Sequence, residues 1–146
     1  KAEQQNSWFT RANLEFAFTS WSEALSESNV QQWLSQYQLP QVTSAKKVLI
    51  VMAGNLPLVG FHDLLCVLVA GHQAVVKLSS DDRVLLPYLL EKIKDFAPQW
   101  TASVQFTDEK VTDYDAVLQQ VATILPAILN IILVRNHTLL EKTDIQ

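Results

Sequence analysis

The sequence predicts an α/β domain built on a parallel sheet, with helices before and between its strands. Three observations carry that expectation. The run Val48 to Met52 is apolar throughout and rich in β-branched residues, as befits a strand covered on both faces, and Ala74 to Leu78 reads as the next strand. Between them, Leu58 to Ala70 has about the length of a crossover helix, with Gly71 placed as its C′ residue. Two further short runs, Ala102 to Phe106 and Asp115 to Leu118, follow helical pattern in turn, which favours a three-layer arrangement.

The elements follow in order. Thr10 is an N-cap for a helix in which Leu14, Ala17, Phe18, Trp21 and Leu25 recur at three- and four-residue spacing. Ser28 with Gln31 fits a capping box for a second helix carrying Val30, Trp33, Leu34 and Tyr37, which Pro40 ends. These aromatics read as packing residues. After the linker Gln41 to Ala45 comes the first strand, broken by Gly54 and Pro57. Asp81 and Asp82 place negative charge at the start of a helix running to about Phe96. Its apolar side is Val84, Leu85, Tyr88, Leu89, Ile93 and Phe96; Pro87 also permits a start a few residues later, and Pro98 stops it. The polar loop Thr107 to Asp113 leads to the fourth strand. Three segments result: a helical segment 1–44, an α/β domain 45–118 and an apolar tail 119–146.

Composition narrows the function classes. A chain of 146 residues, 49% hydrophobic, is one domain with a real core. A net charge of −4 without a Lys/Arg cluster argues against a nucleic-acid partner. The single cysteine, Cys66, permits no internal disulfide and makes a cytoplasmic setting the default. Flanked by Leu64, Leu65, Val67 and Leu68, it reads as a buried small hydrophobe rather than a reactive thiol. The polar start shows no signal peptide, and the absence of Met is expected of a trimmed chain or of a segment of something longer.

Several motifs are excluded. With only Gly54, Gly60 and Gly71, no G-x-G-x-x-G can exist, and the Gly54–Gly60 spacing is not a Walker A loop. His62, His72 and His137 are too scattered for a metal site, and the neighbours His62 and Asp63 are expected to point apart on a helix. A phosphoacceptor receiver domain needs acids at the strand ends, and Met52 to Asn55 supplies none. What remains is the βαβ unit itself. It puts Asn55 and Lys77 at carboxyl ends of parallel strands, where ligands bind in open α/β sheets.

The segment AGNLPLVGFHD and the later AVVKLSS resemble the acyl-CoA reductases related to the fatty-acid reductase of bacterial luminescence, within the aldehyde dehydrogenase superfamily. The resemblance covers roughly Asn6 to Val117, including NSWFTRANLEFAF and NVQQWLSQYQLP. It implies a partial cofactor domain with Rossmann-like βαβ units. It also implies that Asn55 lends a side-chain amide to an oxyanion hole, that Lys77 holds the adenosine ribose, and that Ser79 or Ser80 lines the same end. An amide donor there can stabilise the negative oxygen formed when a thiolate attacks a thioester; the plain alternative is that Asn55 caps the helix near Pro57. Lys77 can bond ribose hydroxyls or pair with a 2′-phosphate; its plain alternative is an exposed strand-end lysine. Ser80 stands where the superfamily often has Glu. A carboxylate there would bind the 2′-hydroxyl of NAD and repel the phosphate of NADP, so NADPH is the expected cofactor.

The resemblance also implies a cysteine nucleophile that Cys66 does not match, and a Thr-Gly-Ser turn that is missing after Val117. Back-translated and shifted by one nucleotide, the tail can be read as a family continuation containing that turn. The hypothesis is a single-base deletion near the codon for Leu118, leaving residues 118–146 out of frame. An intact, in-register gene whose stop follows Gln146 would sink it. The tail holds Ile124, Leu125, Ile128, Leu129, Ile131, Ile132 and Leu133 but falls short of the about 20 residues of a membrane span. A helix after Pro126 and a homo-oligomer contact through it are expected. The expected function is thus a fragment of a cytoplasmic, NADPH-dependent reductase that converts fatty acyl-CoA to aldehyde through a cysteine thioester, inactive by itself. The alternative is a non-catalytic nucleotide-binding or protein-interaction module.

Overall fold

A computed structural model describes residues 2–39 and 42–120. The tail helix and the tail-mediated contact expected after Pro126 lie outside the described residues. The order of elements is α1 (Ala2–Gln5), α2 (Arg11–Ala24), α3 (Glu27–Ser35), β1 (Lys47–Val51), α4 (Phe61–Val69), β2 (Gln73–Lys77), α5 (Leu85–Ile93), α6 (Pro98–Ala102), β3 (Val104–Thr107) and β4 (Ala116–Gln119).

The four strands form one parallel sheet in the order β3-β2-β1-β4. Val48, Leu49 and Ile50 of β1 are all buried, as are Ala74, Val75 and Val76 of β2. Consecutive burial means that both faces of the central strands are covered, which is why these runs do not alternate. The chain steps from β1 outward through β2 to β3, then returns to the other flank of β1. That reversal creates a crevice between β1 and β4 at the carboxyl edge.

Local chemistry sets the helix ends. Thr10 caps α2 as expected, its hydroxyl accepting from Asn13 N at 3.2 Å. Gly71, at φ +78, closes α4 with the paired bonds of a Schellman motif: His72 N to Val67 O at 3.1 Å and Gly71 N to Leu68 O at 3.0 Å. Other boundaries differ from expectation. Ser26, extended at φ −59 and ψ 149, holds the N-cap position of α3, so Ser28 lies within the helix and Gln31 Nε2 donates to Glu27 instead. α4 starts at Phe61 rather than Leu58, because Leu58 has φ +58 and cannot be helical. α5 takes the later of the two starts, at Leu85, and turns Leu86 and Leu90 inward while Tyr88 and Phe96 remain exposed. Pro98 does not terminate that helix; it opens α6, where its missing N–H costs nothing.

The N-terminal helices pack on the α/β part. Phe9 is 1% exposed within the main core cluster, and Trp21 meets Phe61 edge-on at 4.9 Å between ring centroids. Trp33, half-buried, packs against the same core and lies 5.9 Å from the His62 ring.

Candidate functional site at the carboxyl edge

Strand register decides what meets at the carboxyl edge. Val51 pairs with Lys77 on one side and Gln119 on the other, and Lys77 pairs in turn with Thr107. Met52 N donates to Lys77 O at 3.0 Å and Gln120 N to Val51 O at 3.0 Å, extending both pairings to the mouth of the sheet. Lys77, the last residue of β2, and Asn55, Ser79 and Ser80, on the loops that follow the adjacent strands β1 and β2, therefore all stand at this one edge.

The loop after β1 is held unusually firmly. Leu58 is 3% exposed yet left-handed, a conformation that costs a branched side chain about 1–2 kcal/mol and persists only where packing over-determines it. Gly54 lies so close to the next loop that a Cβ there would sit 2.7 Å from Ser79 Cβ and Oγ. Asn6 Nδ2 donates to Gly54 O at 2.8 Å and to Asp81 O at 3.4 Å, tying the N-terminal segment to both loops. On the crevice side, Gln120 Oε1 accepts from Ala53 N at 3.3 Å, while its Nε2 donates to Val59 O at 3.1 Å and to Asp63 Oδ2 at 2.8 Å. Asn55 sits inside this bracket. Its Oδ1 is buried without a partner among the described residues, which costs free energy. The bland expectation that Asn55 caps α4 is not met: Gly60 holds that position, and no side chain caps the helix.

The loop after β2 is tightened by its own side chains. Ser79 Oγ accepts from Asp81 N at 3.2 Å, and Ser80 Oγ donates to Asp81 Oδ1 at 3.3 Å. Asp82 turns inward and accepts from Leu85 N at 3.0 Å and Val84 N at 3.4 Å, so its carboxylate holds the turn that leads into α5, whose N-cap is Val84. Burial raises the Asp82 pKa, and those two backbone contacts pull it partly back. Lys77 makes no ion pair among the described residues.

Cys66 is not poised for attack. It lies mid-helix in α4, 3.8 Å from both ring nitrogens of His62, and burial, followed by the Asp63 charge, pushes its thiol up. The thiolate needed for a nucleophile is thereby disfavoured. His62 and Asp63 do not point apart as expected: His62 Nδ1 approaches Asp63 Oδ1 at 3.7 Å, the imidazole folding back along the helix toward its buried neighbour. Among the described residues no group of His, Cys, Asp and Glu could hold a metal ion. No helix of those residues is long and apolar enough to cross a membrane. Asn6, Asp63 and Gln120 were missed from the sequence. Gln120 lies 57 residues from Asp63, and no local pattern signals such a contact.

An all-parallel sheet in this order, with flanking helices and its loops gathered at the carboxyl edge, is a Rossmann-like α/β domain. The model of the acyl-CoA reductase (LuxC) family matches residues 5–136, and the chain belongs to that family. Membership implies an acyl-CoA reductase, an oxidoreductase. The matched span ends at residue 136, within the tail for which a shifted reading frame is expected. Comparison with curated proteins and with solved structures gave no significant match.

Proposed function

We propose that this chain is the nucleotide-holding part of a cytoplasmic, NADPH-dependent acyl-CoA reductase, inactive by itself. The observation that carries the reading is the convergence of the Asn55 loop and Lys77 at the mouths of neighbouring parallel strands. In Rossmann-like domains a carboxylate near the end of the second strand selects the ribose 2′-hydroxyl. Here that strand ends in the cation Lys77, and Ser80 replaces the carboxylate. A 2′-phosphate is therefore welcome and NADPH is favoured over NADH.

The fit is better at one end of the site than the other. Lys77, Ser79 and Ser80 suit an adenosine ribose. At the crevice between β1 and β4, where a dinucleotide would cross the sheet, the Gln120 side chain already bridges Ala53, Val59 and Asp63. Full dinucleotide binding is expected to be weak for this reason. Bound NADPH supplies hydride; Asn55 would donate its amide to the thioester oxygen as negative charge develops. The acyl-accepting thiol is not Cys66. The homo-oligomer expected through the apolar tail remains part of this proposal, and a monomer at high concentration in light scattering would count against it.

The test is to mix the chain with NADPH and a long-chain acyl-CoA and to measure nucleotide binding in parallel. The expected result is no NADPH oxidation, with weak binding that Lys77→Ala abolishes. Turnover by the chain alone, or binding indifferent to Lys77→Ala, would overturn the proposal.

A further inference from the structure

Arg83 is a charged group at the same edge to which no role above is given. It follows the Ser79–Ser80 turn, and its Nη1 donates to Asp108 Oδ2 at 3.1 Å. Asp108 is the first residue past β3, directly after Thr107, the register partner of Lys77. The ion pair thus joins the loop beyond β2 to the loop beyond β3, beside the strand end that carries Lys77. Its side chains are 50% and 69% exposed, so solvent and salt screen it and it adds little stability. Only Nη1 of the fork is engaged by Asp108, whereas a guanidinium suits two-point contact with phosphate oxygens.

We propose that Arg83 is the specificity-determining residue for a nucleotide 2′-phosphate, which replaces Asp108 on the guanidinium with Lys77 as the second cation. The inference rests on the nucleotide reading of this edge and deepens it by naming the group that recognises the phosphate. The opposing charges are Asp81, which accepts from Ser80 Oγ, Glu109 on the loop after β3, and the displaced Asp108 carboxylate. Asp82 is engaged with the start of α5 instead. Discrimination is therefore moderate, and neutralising Asp108 strengthens it.

The experiment titrates the 146-residue chain at low salt with 2′,5′-ADP and with 5′-AMP, the adenosine ends of NADPH and NADH. Binding is read from amide chemical shifts. In the unsubstituted chain 2′,5′-ADP binds more tightly than AMP. Arg83→Gln weakens 2′,5′-ADP about tenfold, the size of one charge-assisted contact, and leaves AMP unchanged. Arg83→Lys recovers part of the loss, and Asp108→Asn strengthens 2′,5′-ADP about threefold. An Arg83→Gln variant that weakens both nucleotides equally, or neither, overturns the role of Arg83 and leaves the nucleotide reading standing. Failure of the unsubstituted chain to bind either nucleotide overturns the nucleotide reading, and this inference with it.

Discussion

Asp82 offers a stability measurement whose sign depends on the geometry of the site. The residue is 8% exposed, and one carboxylate oxygen accepts from the two N–H groups that open α5. Asp82→Ala leaves both donors without that acceptor and is expected to cost about 1 kcal/mol, the usual net worth of such hydrogen bonds. In a chain of this size that lowers the melting temperature by roughly 4 °C. Asp82→Asn keeps an oxygen in place and removes the buried charge. Because burial raises the Asp82 pKa above its ordinary 3.8, the folded state binds the proton more tightly than the unfolded chain. The stability so contributed is fully present below 3.8 and is lost as pH rises through the folded value. Urea unfolding of both proteins across the acidic range reads this as a difference, in which the other carboxyls cancel. The unsubstituted protein should gain on Asp82→Asn as pH falls, and the Asn variant should match or exceed it at neutral pH. A difference that moves the other way, or an Asn variant as weak as Asp82→Ala at neutral pH, refutes the reasoning.

Other perturbations test neighbouring features. Gly71→Ala forces a side chain into the left-handed region, with its Cβ 3.1 Å from Val42 Cγ2; chemical denaturation should show a loss of about 1–2 kcal/mol. Gly54→Ala places a Cβ 2.7 Å from Ser79 and 3.1 Å from Asp82 N, so the two strand-end loops must part. Overpacking of this kind costs about 1–3 kcal/mol, and amide exchange should quicken in both loops together. Cys66 should alkylate more slowly than a free thiol, its rate still rising with pH beyond 9.0, because burial and Asp63 hold it protonated. A rapid reaction at neutral pH would show that the thiol is more open than the packing of α4 allows.

The sheet was largely legible because its signal is local. Short β-branched runs between breakers read as covered strands, and β1 and β2 lie within one residue of their expected positions. The Gly71 turn was legible for the same reason, since a single glycine after an apolar helix has one economical use. What the sequence hid was non-local or conformational. Nothing in LPLVG marks Leu58 as left-handed, so the helix was begun three residues early. The inward face of α5 was misjudged because Leu85, Leu86, Leu89 and Leu90 offer several leucine stripes, and only the position of the sheet selects among them. At the site, the βαβ unit made the edge that carries Asn55 and Lys77 readable. The residues that hold that edge were not, because Asn6 and Gln120 reach it from 48 and 67 residues away.

Those two amides change how the N-terminal segment is to be understood. A helical segment 1–44 could be a separate attachment, but Asn6 bonds Gly54 O and Asp81 O together, and Phe9, three residues on, is buried in the shared core. Gln120 holds the same loop from the opposite flank, at Ala53 and Val59. Asn55 is thus suspended between contacts made on both sides of it, in a loop with a left-handed leucine and, among the described residues, an unpartnered buried oxygen of its own. A loop that merely connected β1 to α4 would relax out of such a conformation, since each feature costs free energy and none shortens the connection. What the contacts show is a loop fixed at the carboxyl edge, and its placement depends on the first residues of the chain as much as on the sheet.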